Sequence, residues 1–244
     1  MSDGTARQRL LDGLAASIAD VGYSSTSVTD IVQRARTSRR TFYDHFADRE
    51  ACLVALFTTI VRESIRAILQ GVDRGAAWEV QIRQAVQAWI TSVEPHAPVI
   101  LVWIRESPAF GPSARRLKQE VTEAYISLIQ SFSDTEMLRL AGYQRVPRHR
   151  AVMFIGGLRE MVALALEGAE GAEGAEGAVG AEGAEGAEGP ESAVGVSGAG
   201  VSRQGGERGK SEENGSGLRD VTERAVDAAI LLFGQPSGDS QART

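Results

Sequence analysis

The sequence predicts an all-α protein, and three observations support this fold class. Apolar residues recur every three or four positions along most of the chain, which is the helical period. The middle of the chain, residues 76–133, shows no strand-like alternation of apolar and polar residues. With 244 residues, 43% of them hydrophobic, the chain can also bury a core. We expect an N-terminal three-helix domain in residues 1–47 and a larger helical domain in residues 48–167.

The first helix is predicted to begin at Thr5 and to end at Gly22. Thr5 and Gln8 have the spacing of a capping box, and glycine is a common stop signal. Between these two ends, five apolar residues recur at helical spacing: Leu10, Leu11, Leu14, Ile18 and Val21.

The next two helices are short and are separated by a tight turn. Ser27 can cap a helix that begins at Val28, and Ser38 can cap another that begins at Arg39. Only Arg36 and Thr37 remain for the turn between them. Two short helices joined in this way form the helix-turn-helix pattern.

The third helix lies in a cluster of positive charge. Residues 34–40 include four arginines and no acid, and Phe42 and Phe46 are spaced to anchor one face of the helix. The exposed face would carry phosphate and base-edge donors, which favours a DNA recognition helix. The alternative is a solvated basic helix end, which is what most arginine clusters are. The predicted DNA-binding residues of this helix are Arg39, Arg40, Thr41, Tyr43 and His45, with Arg36 in the turn before it.

Further helical patterns make up the second domain. Asp48 can cap a fourth helix that runs to about Gln70, roughly 34 Å, long enough to join the two domains. Later patterns fall within residues 78–90, 99–104, 117–132, 147–166 and 218–233. The last of these has apolar residues on two sides, so we expect it to be a dimerisation helix with another subunit as one of its partners.

Residues 168–217 form a low-complexity segment that opens with seven Gly-Ala-Glu-type triplets. Glycine at every third position costs a helix about 1 kcal/mol each relative to alanine, so we expect a disordered linker here and a disordered tail in residues 234–244. Residues 167–217 carry eleven acids and three bases, which accounts for the net charge of −6. A passive linker is favoured over an acidic partner-binding or DNA-mimicking segment.

The N-terminal motifs resemble the DNA-binding domain of the tetracycline-repressor (TetR) family of bacterial regulators, over about residues 5–60. The resemblance departs from the family at Arg36 and Arg40, where such proteins usually carry glycine. A left-handed backbone at Arg36 would cost ~1 to 2 kcal/mol, so either the turn has another shape or this cost is tolerated. The matching residues are Gly22-Tyr23, Thr26 to Ile31, Ser38, Thr41 to Tyr43, His45-Phe46 and Asp48 to Glu50.

The resemblance implies a homodimeric transcriptional regulator, a repressor that a small-molecule effector releases from a palindromic operator in double-stranded DNA. It implies phosphate contacts by Tyr43 and His45, to which Thr26, Ser27 and Arg49 at helix N-termini could add. The alternative is a helical ligand-binding or interaction protein that binds no specific operator. Polar groups such as His96 or Arg105 would suit an effector pocket, although the aromatic residues are core residues by default. The predicted effector-binding residues are Phe57, Trp89, His96, Trp103 and Tyr125.

Several classes of function are not expected from this sequence. A single cysteine, Cys52, excludes an internal disulfide, and the three histidines lack the spacing of metal ligands, so we predict neither a metal nor a cofactor. An enzyme is not expected, because the sequence contains neither a Ser/His/Asp order nor a phosphate-binding loop. Apolar runs are too short to span a membrane, and no secretory segment is seen, so a cytoplasmic location is expected.

Overall fold

A computed structural model describes residues 3–179 and 206–233. Within these residues the chain forms ten α-helices and no strand, which confirms the all-α fold class. None of the described helices combines the length and the apolar character that crossing a bilayer requires. The residues predicted to form the disordered tail, 234–244, lie outside the described part of the chain.

The N-terminal domain consists of α1 (Asp3–Ser25), α2 (Val28–Arg34) and α3 (Arg39–His45). Gly22 interrupts α1 with a non-helical backbone at φ 75° and ψ 163°, so the regular part ends where the sequence predicts. The predicted cap at Thr5 is wrong, because the helix begins at Asp3. The side-chain amide of Gln8 instead donates to Asp12, one turn ahead, at 2.8 Å.

The larger helical domain begins with a long helix, Arg49–Gly71. Two short 3₁₀ turns, Glu94–His96 and Ser107–Ala109, lie on either side of the helix Ala97–Glu106. The short helix Glu136–Leu140 is not predicted from the sequence, because five residues are too few for a periodic pattern. The helices are α4 (Arg49–Gly71), α5 (Trp78–Val93), α6 (Ala97–Glu106), α7 (Pro112–Ser133), α8 (Glu136–Leu140), α9 (Arg148–Val179) and α10 (Gly206–Phe233).

One continuous hydrophobic core runs through both domains. Helix α4 packs against α5 and α7 in the larger domain and also against α1 in the N-terminal domain. Helix α9 packs against α10, α7 and α6, and α10 also packs against α5. Helix α4 is therefore the element that the two domains share.

The structure differs from the predicted disorder at both ends of the low-complexity segment. Helix α9 continues to Val179 and α10 begins at Gly206, so residues 168–179 and 206–217 are helical. Alanine and glutamate are good helix formers, and adding residues to an existing helix is far easier than nucleating a new one. The free-energy cost of glycine in a helix therefore does not by itself predict where α9 ends or where α10 begins.

Candidate nucleic-acid interface and internal cavity

Helix α3 is fixed to the N-terminal domain by its cap and its aromatic residues. The Ser38 hydroxyl accepts a hydrogen bond from the Thr41 backbone N–H at 3.0 Å, as the sequence predicts. Phe42 is fully buried, and its ring lies 5.7 Å from that of Phe46. The guanidinium of Arg7 lies 5.4 Å above the Phe46 ring. One face of α3 is thus held in the core, and the opposite face points to solvent.

Three arginines around the start of α3 are exposed and unpaired. Within the described residues, the side chains of Arg36, Arg39 and Arg40 form no hydrogen bond and no ion pair. Arg34, by contrast, is paired with Asp20 on α1. Donors that no internal acceptor occupies remain available to phosphates and base edges.

The turn between α2 and α3 contains a residue with a left-handed backbone, which is one of the two possibilities that the sequence allows. Arg36 has φ 50° and is the only non-glycine residue with positive φ in the described chain. Its backbone N–H donates to Gln33 O at 3.1 Å, and the N–H of Thr37 donates to Val32 O at 3.0 Å. This pair of bonds is the Schellman motif, which usually places glycine at the left-handed position. The usual turn is therefore kept, and its conformational cost is tolerated.

The remaining residues predicted to contact DNA on α3 lie at its exposed face or margin. Tyr43 is 53% exposed, and its ring meets that of Phe42 edge to face at 5.4 Å. Thr41 and His45 are half-buried beside it. Ser27 is exposed, but its hydroxyl is engaged in a capping box with Asp30. These hydrogen bonds lower the pKa of the Asp30 carboxyl.

Thr26 and Arg49 do not fit the predicted phosphate contacts. The Thr26 side chain is buried, and its hydroxyl donates to Gly22 O at 2.7 Å. The guanidinium of Arg49 lies 4.2 Å above the Tyr23 ring and donates to the carbonyl oxygens of Tyr23, at 2.8 Å, and of Thr26. The end of α1 leaves carbonyl groups that need donors, and these two side chains satisfy them. Both side chains are therefore occupied inside the domain.

The larger domain encloses a cavity between α4, α5, α6, α7 and α9. Its volume is about 130 Å³, and its wall is almost entirely apolar. The rings of Phe57 and Trp103 stack on one side of it, with centroids 3.9 Å apart. Four of the five residues predicted for an effector pocket line this cavity: Phe57, Trp89, Trp103 and Tyr125.

The hydroxyl group of Tyr125 joins the two sides of the cavity. It accepts a hydrogen bond from Trp89 Nε1 at 3.1 Å and lies 2.5 Å from Ser64 Oγ. Burial is the main cause of the raised pKa of this phenol. A neutral, hydrogen-bonded tyrosine at this position stabilises the shape of the cavity without adding charge to it.

His96 and Arg105 do not belong to the cavity, in contrast to the prediction. The 3₁₀ turn at Pro95 places His96 between α5 and α6 rather than on the face of either helix. Arg105 forms ion pairs with Glu160 at 2.9 Å and Glu167 at 2.6 Å. No group of three or more potential metal ligands is found in the described residues.

The sequence interpretation missed two charged residues of the cavity wall. Lys118 on α7 and Arg159 on α9 both line it. The signal for Lys118 was its spacing, because it lies three and seven residues before the wall residues Val121 and Tyr125. Arg159 had a similar signal, because it lies four residues after the wall residue Ile155.

Residues 10–56 match the family model described as bacterial regulatory proteins, tetR family. The HTH-type transcriptional regulator BetI of Burkholderia mallei is 26% identical over 170 residues, which cover 67% of this chain and 81% of BetI. The regulatory protein TetR from Rhodobacter sphaeroides is similar in structure, with a TM-score of 0.58 at 16% identity, over 91% of this chain and 98% of that one. The fatty acid degradation regulator FadR from Bacillus halodurans has a TM-score of 0.56 at 19% identity, over 64% of this chain and 82% of that one.

These similarities support a TetR-family transcriptional regulator. Proteins of this family are DNA-binding transcriptional regulators with a helix-turn-helix domain, and the relatives named above are regulators rather than enzymes. As in the TetR-like structures, an N-terminal helix-turn-helix domain is followed by a helical C-terminal domain. The cavity lies in this second domain, and α4 connects it to the DNA-binding domain.

Proposed function

We propose that this protein is a homodimeric repressor that binds a palindromic operator and leaves it when a small ligand enters the cavity. The observation that carries the proposal is that α4 both packs against the DNA-binding domain and lines the cavity. Its first residue, Arg49, holds the end of α1 through the carbonyl of Tyr23, and its middle turns line the cavity. A ligand that displaces α4 would therefore also displace the DNA-binding domain.

In this proposal α3 of each protomer enters the major groove. Arg39 and Arg40 are exposed at its N-terminal end, where recognition helices usually contact base edges. Arg36, in the turn before the helix, would contact a phosphate together with Tyr43. A dimer would place two such helices about one turn of DNA apart, roughly 34 Å.

An exposed apolar face on α9 supports the dimer. Met153 and Leu164 are 60% and 58% exposed, and added Cβ atoms on Gly156 and Gly157 would meet nothing within 4 Å. Leu231 on the adjacent helix α10 is 82% exposed. Exposed apolar side chains beside small residues favour close packing of a second copy, which would form a four-helix interface.

The ligand must prefer the state that does not bind the operator. Equal affinity for the two states would leave the equilibrium unchanged. A coupling free energy of ~1 to 3 kcal/mol would weaken operator binding ~5- to 150-fold, and bound operator would weaken the ligand by the same factor. The apolar wall favours a ligand that is itself largely apolar.

Two measurements test the DNA and dimer parts. Selection from a randomised DNA pool at physiological salt should enrich a palindrome, because two copies related by a two-fold axis read two half-sites. Light scattering should give the mass of a dimer, and Leu164→Glu should give a monomer. Leu140→Glu is the matched control, since Leu140 is 83% exposed on α8, away from the proposed interface. A monomeric wild-type protein, or a pool without symmetry, would reject the proposal.

A third measurement tests the ligand. A compound that quenches the fluorescence of Trp89 or Trp103 can be titrated in the absence and presence of the selected operator. The two dissociation constants should differ by the factor by which the compound weakens operator binding. A compound whose affinity is the same with and without operator is not an effector.

A further inference from the structure

Two positive charges line a cavity that is otherwise apolar. Lys118 on α7 and Arg159 on α9 are half-buried in its wall, and within the described chain neither side chain has a hydrogen bond or an ion pair. Burial lowers the pKa of both groups, and the charge of Arg159 lowers that of Lys118 further. The two cations therefore lie close enough to repel each other.

This arrangement is costly for the protein on its own. A partly buried charge without a partner is destabilising, whereas nearby exposed arginines do have acidic partners. Arg148 on α9 pairs with Glu123 on α7, and Arg105 on α6 pairs with Glu160, the residue next to Arg159. Acids are thus available on both helices, but they are used elsewhere. A pair of unpaired cations at this position is best explained by an anion that binds between them.

The hydroxyl groups of the wall are satisfied within the protein. The Tyr125 hydroxyl bonds to Trp89 and Ser64. The Thr122 hydroxyl donates to Lys118 O at 2.8 Å. Lys118 and Arg159 are the only charged residues among the described wall residues, and most of the rest of the wall offers apolar contact.

We propose that the cavity binds an anionic single-chain amphiphile, with its carboxylate or phosphate head between Lys118 and Arg159 and its alkyl chain along the aromatic wall. This inference rests on the proposed effector function and specifies the chemistry of the ligand. Arginine binds both kinds of head through two parallel hydrogen bonds, and lysine adds a second charge. The aliphatic and aromatic side chains of the wall, among them the stacked rings of Phe57 and Trp103, offer apolar contact to such a chain.

The test compares ligands that differ only in the head. Dodecanoate, dodecyl phosphate, methyl dodecanoate and dodecylammonium are titrated into the full-length protein below their micelle concentrations, with tryptophan fluorescence as the readout. We expect at least one anion to bind about 10- to 100-fold more tightly than the neutral ester, and the cation to bind most weakly, because hydrogen bonds to charged groups contribute strongly. The preferred anion identifies the head. Equal affinity for anions and ester would overturn the proposal.

Substitutions test whether Lys118 and Arg159 cause the preference for anionic ligands. Lys118→Met together with Arg159→Met should remove the preference for the anion while the ester still binds, and that retained binding shows that the cavity has kept its shape. Arg159→Lys should retain most of the preference because it keeps the charge. Arg116→Met is the matched control, since Arg116 is exposed on the same helix as Lys118 and does not line the cavity. An anion preference that survives the double substitution would overturn the assignment.

The outcome separates this inference from the proposed function. An anion that binds through the two cations but leaves operator affinity unchanged would contradict the effector role and support the site. A neutral compound that releases the operator, with no preference for anions in the titration, would contradict the site and support the effector role.

Discussion

The ring of Phe110 meets the ring of Tyr23 edge to face, with centroids 5.4 Å apart. Tyr23 lies at the end of α1 in the DNA-binding domain, and Phe110 lies in the turn between α6 and α7. On its other side, Phe110 contacts Trp103 at 6.4 Å, and Trp103 stacks on Phe57 in the cavity wall. Aromatic contacts therefore run without a break from the cavity to the DNA-binding domain.

We predict that Phe110→Leu reduces the coupling between ligand and operator. Leucine keeps an apolar side chain in the core but loses the ring contacts with Tyr23 and Trp103. The factor by which the ligand weakens operator binding should fall at least about twofold, because mutations along a coupled network change coupling by ~0.5 to 2 kcal/mol. The measurement is the ligand titration with and without operator.

The control for this prediction is Phe233→Leu. Phe233 is also buried against aromatic rings, and these rings, of Trp78 and Phe154, belong to the larger domain. It should lower stability by a similar amount and leave the coupling unchanged. Equal coupling in wild type and Phe110→Leu would show that α4 alone connects the two sites.

A second contact between the domains joins Gly111 and Glu50, and we predict that substituting Glu50 removes the stability cost of substituting Gly111. The N–H of Gly111 donates to Glu50 Oε1 at 2.9 Å, and a Cβ on Gly111 would lie only 2.9 Å from that oxygen. Gly111→Ala should therefore destabilise the protein by ~1 kcal/mol. The same substitution should be nearly neutral in a Glu50→Ala background, where the carboxylate is absent.

Urea denaturation of the four proteins of this cycle measures the interaction. Neighbouring residues usually show interaction free energies of ~0.5 to 3 kcal/mol. The backbone of Gly111, with φ −68°, is one that alanine adopts without strain, so the clash with Glu50 is the only expected cause. Additive effects would mean that the Glu50 side chain simply moves aside.

Local features of this fold could be predicted from the sequence, and contacts between distant segments could not. Ser27, Ser38 and Asp48 each cap a helix as expected, because a cap depends on residues within one turn. The inward role of Arg49, by contrast, depends on the carbonyl of Tyr23, which lies 26 positions earlier in the chain. Lys118 and Arg159 are 41 positions apart in the chain, and only the packing of α7 against α9 brings them to one cavity.

Cys52 is predicted to be inert towards thiol reagents in the folded protein. It is fully buried in α4, and burial raises its pKa from about 9 to about 12. The thiolate is the reactive form, so the rate of labelling should show no inflection near pH 9. Labelling at pH 8 with increasing urea should instead follow the fraction of unfolded protein. Free cysteine labelled in parallel is the control, and a native-state inflection near pH 9 would show that the thiol reaches solvent.

Glycine substitutions at Arg36 and Arg40 are predicted to change the stability of the protein in opposite directions. Arg36→Gly should stabilise the protein by ~1 kcal/mol, because it relieves a left-handed backbone at φ 50° that costs a non-glycine residue ~1 to 2 kcal/mol. Arg40→Gly should destabilise it by up to ~1 kcal/mol, because Arg40 lies within α3. Both substitutions remove one exposed positive charge, so each serves as the charge control for the other. Thermal unfolding measures both effects.

The same two variants distinguish a phosphate contact from a base contact. Loss of a phosphate contact at Arg36 should weaken binding to all DNA sequences alike and lower the salt slope by about one. Loss of a base contact at Arg40 should cost ~1 to 3 kcal/mol on the selected operator and little on random DNA. An Arg36→Gly protein that is more stable yet binds all DNA less well would explain why arginine is kept at a position that favours glycine. Unchanged DNA binding in that variant would leave the strained arginine without this explanation.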